Sequence, residues 1–153
     1  MQGAAGIVST PEDVARWARA LYVGPMLAPK PRPELRTLVS MKTGEPIKRT
    51  TVSDPSGFGL GVIQLMEPTA GTVWFYEGET NGYRMEYLYF PHQDAVIALG
   101  ANSAVDVKRD ALDSRSRFTK RSTKPAASSA PREVRLLPNA RLYAHCSPYP
   151  CSD

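Results

Sequence analysis

The stretch that decides the fold is TVWFYEGETNGYRMEYLYFPHQDAVIALGANS, residues 72–103. It predicts three strands joined by two tight turns. Asn81-Gly82 marks the first turn, because both central residues of the preferred two-residue hairpin need positive φ. Residues 83–90 alternate between two faces with the period of a strand, and residues 95–101 form a short apolar run that is typical of a buried central strand. The stretch therefore predicts an antiparallel unit.

A helix is predicted upstream of these strands, over residues 9–23. Thr10 is a favourable N-cap and Pro11 fits the first helical position. Gly24 follows the last turn as a stop signal. The predicted inward face consists of Val14, Trp17, Ala18 and Leu21.

The segment between this helix and the strands is less regular. Residues 33–41 predict a second short helix, and Gly44 is then its C-cap. Residues 57–65 predict a glycine-rich strand in which the glycines allow a bend or a close backbone approach. The predicted fold class is therefore α+β, with a helix or two followed by antiparallel strands.

The positive charge is concentrated in the last third of the chain. Residues 1–102 carry 9 Lys/Arg and 10 Asp/Glu, whereas residues 103–153 carry 10 Lys/Arg and 5 Asp/Glu. The composition after residue 112 is rich in Arg, Ser and Pro, which predicts a disordered tail over residues 113–153 and a partial domain over residues 1–112. Aromatic residues do not interleave with the basic ones as in single-strand binders, so no nucleic-acid partner is expected.

Both cysteines, Cys146 and Cys151, lie in this tail. A disulfide between them would close only a very short loop. With His145 they offer fewer ligands than a structural zinc site needs, so neither a metal nor a cofactor is expected. No apolar run approaches the ~18 residues of a membrane span, and the opening MQGAAGIVSTPEDVARW lacks the regions of a secretory signal.

Two blocks of the sequence resemble the serine β-lactamase-like and D-alanyl-D-alanine carboxypeptidase-like hydrolases, in their class C and esterase branch. The first block is GIVSTPED, residues 6–13, with the helix that follows it. The second is WFYEGETNGY, residues 74–83, with the strands after it. The resemblance covers residues 3–112 and corresponds to the C-terminal portion of that fold. It implies a location in the cell envelope or periplasm.

The same resemblance implies a set of site residues. Family members carry S-x-x-K with the nucleophilic serine, Y-x-N or S-x-N as a proton relay, and a K/H-x-G triplet on an edge strand. This chain contains neither of the first two motifs, and Tyr76-Glu77-Gly78 corresponds to the third. Tyr76 would then replace the family's cation, Gly78 would allow close backbone approach, and the backbone N–H of Glu79 would be the second oxyanion-hole donor.

Lys42-Thr43-Gly44 spells the same triplet but follows a predicted helix, so it is not expected to be catalytic. His92 falls in the turn between the last two strands and is expected to be exposed. Neither it nor His145 suggests a Ser-His-Asp triad.

The resulting hypothesis is a C-terminal fragment of a serine hydrolase that is inactive alone. Its intact relative would hydrolyse a small β-lactam, ester or D-Ala-D-Ala peptide through an acyl-serine. The alternative is a non-catalytic remnant or binding module. Such a module would associate with an N-terminal partner, or with itself, through an exposed sheet edge.

Overall fold

The computed structural model describes residues 6–80, 82–102, 132–137 and 140–146. Two helices come first in the chain, α1 (Pro11–Tyr22) and α2 (Pro31–Leu35). The strands are β1 (Leu38–Ser40), β2 (Pro46–Ile47), β3 (Ser56–Phe58), β4 (Ile63–Glu67), β5 (Gly71–Thr80), β6 (Tyr83–Phe90), β7 (Ala95–Ala101), β8 (Arg132–Leu137) and β9 (Ala140–Cys146).

The strands form one antiparallel sheet in the order β2-β1-β3-β4-β5-β6-β7-β9-β8. Seven of them lie within residues 38–101, and β9 and β8 continue the sheet beyond β7. With α1 packed against β6 and β7, this is a mixed α+β fold, as predicted.

Helix α1 confirms the predicted helix and its cap. The Thr10 side chain accepts a hydrogen bond from the Asp13 backbone N–H, which satisfies one of the donors that a helix start leaves unpaired. The predicted inward face is only partly right, because Trp17 is 45% exposed. The residues of α1 that are buried are Ala15, Ala18, Leu21 and Tyr22.

The prediction of a helix over residues 33–41 was wrong. Helix α2 ends at Leu35, and Leu38–Ser40 is a strand that pairs with both β2 and β3. Two strand partners satisfy the backbone of this short segment, and burial of Leu38 adds apolar contact. Gly44 is consequently not a helix C-cap but a turn residue between β1 and β2, with φ of 78°.

The predicted glycine-rich strand over residues 57–65 is two strands. Chain reversal occurs between β3 and β4, where Gly61 has φ of 73°. Gly59 lies so close to α2 that a Cβ there would be 2.7 Å from the Leu35 carbonyl oxygen. The glycines therefore serve a tight turn and a close approach.

The three strands predicted from residues 72–103 are confirmed. β6 and β7 have the predicted bounds, and β5 extends by one residue at each end beyond residues 72–79, which the sequence predicts as the first of the three strands. Gly82 has φ of 83°, as the hairpin signal requires. Asn81 lies outside the described residues.

Part of the predicted disordered tail is instead described as strands. β9 pairs with β7 along its whole length, and β8 pairs with β9. The composition argument failed here because the outer edge of β7 offers backbone hydrogen bonds to any extended segment, whatever its side chains. Residues 103–131 and 147–153, which include Cys151, lie outside the described residues.

The two faces of the central strands carry separate clusters of buried side chains. The face beneath α1 is rich in aromatic residues, with Tyr22, Trp74, Tyr87 and Tyr89 among its members. The other face is formed by Ala70, Val73, Phe75, Leu88, Phe90, Ala95 and Ile97. Among the described residues, no helix is long and apolar enough to cross a membrane.

Candidate functional site

The sequence-predicted site residues lie together on β5, where this strand runs past its neighbour. Pairing between β4 and β5 ends at Ile63 and Phe75. Pairing between β5 and β6 continues to Thr80 and Tyr83. Over residues 76–80, no described strand pairs with β5 on the β4 side, and this side of the segment is termed the open edge.

The register indicates which amides point toward the open edge. In a two-residue hairpin, the residues that flank the loop form a hydrogen-bonded pair, and such pairs alternate along the ladder. Thr80 and Tyr83 flank this loop. Glu79, which faces Arg84, therefore directs its N–H away from β6, and Glu77 does the same.

The other side of the sheet gives the same alternation. The Met66 N–H donates to the Pro55 carbonyl oxygen at 2.8 Å, so Met66 points toward β3 rather than β5. Its neighbour Leu65 then hydrogen-bonds with Val73 on β5. Counting in twos from Val73 leads to Phe75 and then to residues 77 and 79. Both derivations thus place the Glu79 N–H on the open edge.

Burial changes abruptly where the open edge begins. Phe75 is 8% exposed and Tyr76 is 39% exposed, and the next three residues are exposed as well. At Gly78, no described atom lies within 4 Å of the position that a Cβ would take. A ligand could therefore approach the backbone at Gly78 closely, because no described neighbour packs against it.

Tyr76 belongs to a group of partly exposed aromatic side chains. Its ring meets that of Phe58 edge to face, with centroids 6.4 Å apart. Across the ladder it pairs with Tyr87, whose ring meets Trp17 of α1 at 5.7 Å. We term Trp17, Phe58 and Tyr76 the aromatic patch. Phe58 and Trp17 were not predicted as site residues, because only the folded sheet brings them near β5.

Behind the patch lies a pair of buried phenols. The hydroxyl groups of Tyr22 and Tyr87 are 3.2 Å apart. Burial raises the pKa of Tyr22 well above its usual range, and its neighbour Tyr87 adds to the effect. Burial also raises the pKa of Tyr87, although the hydrogen bond with Tyr22 acts in the opposite direction. Both phenols are therefore neutral at physiological pH and form a fixed support for the patch.

The opposite face of the same strands carries the charges. The Arg84 side chain is only 7% exposed, and its Nη2 lies 3.0 Å from Glu79 Oε2 and 3.8 Å from Glu77 Oε2. Arg84 thus bridges the two glutamates whose amides point to the open edge. This pairing was not predicted, although the strand alternation placed Arg84 and Glu86 on one face.

The triplet Lys42-Thr43-Gly44 lies in the turn between β1 and β2. Ser40 Oγ accepts hydrogen bonds from the N–H groups of Lys42 and Thr43, each at 3.1 Å, and donates to Asp54 Oδ1 at 3.0 Å. These contacts fix the turn and leave the triplet off any strand. His92 lies in the 3₁₀ turn Pro91–Gln93 and is exposed, as predicted.

Within the part of the chain that the structure describes, no group of three or more His, Cys, Asp or Glu side chains could hold a metal ion. The side chains of His145 and Cys146 lie outside that description. No known protein family, curated protein or solved structure matches this chain.

Proposed function

We propose that this chain provides one wall of the active site of a β-lactamase-like serine hydrolase and is inactive alone. In the complete enzyme, a serine would form an acyl intermediate with a β-lactam, ester or D-Ala-D-Ala peptide. The chain contains no S-x-x-K, Y-x-N or S-x-N sequence. Its contribution would be the β5 segment Tyr76–Glu79.

The observation that carries the proposal is the geometry of the open edge. Residues 76–79 are exposed, and the strand alternation directs the Glu79 amide away from β6 and toward the open edge. A backbone N–H that is fixed by a sheet and is not used by it is suited to stabilise a developing oxyanion. Such a donor contributes about 3 kcal/mol to transition-state stabilisation when it is correctly placed.

A second candidate function rests on the same edge. A strand with unpaired N–H and C=O groups can accept an extended segment from another chain. In that case the chain would be a non-catalytic binding module, or would associate with itself. Size-exclusion chromatography separates the possibilities, since a stable monomer over a wide concentration range would argue against self-association.

The first test is covalent labelling. The purified chain is incubated with a fluorescent penicillin, and no label is expected because the nucleophile is absent. The coding sequence upstream of the Met1 codon is then read and, where it continues in frame with S-x-x-K and Y-x-N, the longer product is tested in the same way. Labelling of the short chain would contradict its inactivity, and a longer product with both motifs that resists acylation would overturn the hydrolase assignment.

A pair of substitutions in the longer product tests the role of Glu79. Glu79→Pro removes the N–H, whereas the control Glu79→Gln keeps it and changes only the side chain. The acylation rate should fall by about 10²–10³ in the proline variant and remain near that of the parent in the glutamine variant. Equal rates in the two variants would exclude the amide from catalysis.

A further inference from the structure

We infer that the aromatic patch selects an uncharged, ring-bearing ligand, such as an aryl or arylacyl ester, over one that presents a carboxylate. The inference rests on the proposed role of Tyr76–Glu79 as a wall of the site, and it names the substrate class of that wall. It depends on three features of the described residues: exposed rings, open space and the sign of the nearby charges.

The rings provide a surface rather than a core. Trp17 is 45% exposed, Phe58 40% and Tyr76 39%. Phe58 contacts Tyr76 directly, while Trp17 and Tyr76 both adjoin Tyr87. Aromatic rings prefer to meet edge to face or offset, and such pairs add to the free energy gained by burial of apolar area. The patch is therefore suited to a ligand ring.

The space beside the patch lies over the strand. Gly78 is two residues beyond Tyr76 on the same side of β5, and no described atom lies within 4 Å of its absent Cβ. A ligand that lies across Gly78 would bring its carbonyl group to the Glu79 amide while its ring contacts Tyr76. The two features thus belong to one binding position.

The charges disfavour an anion. Where a cation would hold a substrate carboxylate, Tyr76 offers only a neutral hydroxyl group. On the opposite face of the same segment, Glu77 and Glu79 share one cation, Arg84. A carboxylate near this segment would be repelled by the excess negative charge of these three side chains.

Two described cations on the side of the patch already have partners. Arg36 places its guanidinium 5.8 Å from the ring centroids of Tyr22 and Trp74 and donates to the Tyr22 carbonyl oxygen. Arg16, next to Trp17, forms an ion pair with Glu12. Neither residue is placed as a carboxylate receptor beside Tyr76.

The test compares two probes that differ only at the carboxyl group, N-phenylacetylglycine methyl ester and N-phenylacetylglycine at pH 7. Binding to the full chain is followed by NMR through the indole N–H of Trp17, with that of the buried Trp74 as an internal reference. The ester should bind at least 10-fold more tightly than the acid and shift mainly the Trp17 signal. Equal or tighter binding of the acid, or no binding of the ester, would overturn the inference.

Matched variants locate the preference. Tyr76→Lys introduces a cation and should reverse the order of the two probes, whereas Val52→Lys adds the same charge at a residue of the loop between β2 and β3 that is 81% exposed and should leave the order unchanged. Tyr76→Phe keeps the ring and should keep the ester preference. If both lysine variants change the preference equally, Tyr76 is not the selecting residue and the inference fails.

These measurements need no nucleophile, so they are independent of the labelling test. A clear ester preference in a protein whose longer product resists acylation would sink the hydrolase assignment and retain the ligand class. Acylation of the longer product without any preference between ester and acid would retain the hydrolase assignment and exclude the ligand class.

Discussion

The guanidinium group of Arg19 holds the carboxylate of Asp94 with two hydrogen bonds, of 2.6 and 2.8 Å. Arg19 lies on α1 and Asp94 closes the turn between β6 and β7, where it has φ of 44°. Both side chains are largely buried, with 25% and 17% exposure. This ion pair fixes α1 across the sheet, and through α1 it fixes Trp17 beside Tyr87.

Removal of either partner should destabilise the chain. Arg19→Met keeps most of the aliphatic volume, and Asp94→Asn keeps a residue that tolerates positive φ. Each should lower the free energy of unfolding by about 1–3 kcal/mol, because one hydrogen-bonded charge remains partly buried. In urea denaturation, the double variant should cost less than the sum of the single ones, and strict additivity would show that the pair is not coupled.

The buried phenols of Tyr22 and Tyr87 predict that two single substitutions and the double substitution differ in their effect on stability. Tyr22→Phe or Tyr87→Phe leaves the other hydroxyl group buried without its partner and should cost about 1–3 kcal/mol. The double Phe variant removes both polar groups and should recover much of that loss. Chemical denaturation of the three variants measures the difference. A double variant that is no more stable than the single ones would argue against the hydroxyl pair as the cause.

The same two phenols determine a pH dependence. Burial raises the pKa of both Tyr22 and Tyr87, so the folded state holds their protons more tightly than the unfolded state, in which a tyrosine has a pKa of about 10. Their contribution is therefore fully present below pH ~10 and is lost as the pH rises above it. The double Phe variant should lose stability less steeply between pH 9 and 11, and parallel curves for the two proteins would contradict this.

The strands around the site could be predicted because their signals are local. Tyr83–Phe90 alternates along its whole length and follows a two-residue turn, so its bounds needed no tertiary information. The strand Leu38–Ser40 was missed because three apolar or small residues carry no period. Its identity comes from β2 and β3 on either side, which is tertiary context.

The site itself was predicted only in part. The placement of Tyr76–Glu79 on an edge strand was predicted from the resemblance to the K/H-x-G triplet. That triplet also indicates which residue of the strand corresponds to each position. The contact of Phe58 with Tyr76 depends on the path of the chain through β3, β4 and β5. The half-exposed position of Trp17 depends on how α1 is held by Arg19. Neither relationship leaves a pattern in the sequence.

The glycines give a matched stability test of the free space at the site. Gly78→Ala places a Cβ where no described atom lies within 4 Å, whereas Gly59→Ala places one 2.7 Å from the Leu35 carbonyl oxygen. The free energy of unfolding of the first variant should lie within about 1 kcal/mol of that of the parent, because alanine there meets no steric clash and reduces the entropy of the unfolded chain. The second should be clearly destabilised, because a backbone atom must move. Similar melting curves for the two variants would contradict the open space at Gly78.

Proline substitution at adjacent positions tests the direction of the amides on β5. The alternation assigns the Gly78 N–H to the ladder with β6, opposite Met85, and the Glu79 N–H to the open edge. Gly78→Pro should therefore remove a ladder hydrogen bond and be clearly destabilising. Glu79→Pro removes a donor that the described sheet does not use, and it should be much less destabilising because proline is tolerated on a strand edge that faces solvent.

Urea unfolding of the two proline variants tests these amide directions. Glu79→Ala is the control for loss of the contact between Glu79 and Arg84. The cost of Glu79→Pro beyond that of Glu79→Ala isolates the effect of the amide. A small difference places this N–H on the free side of the strand, where a ligand can reach it. A cost as large as that of Gly78→Pro would show that the Glu79 N–H is bound within the protein, and the strand could then not present it to a substrate.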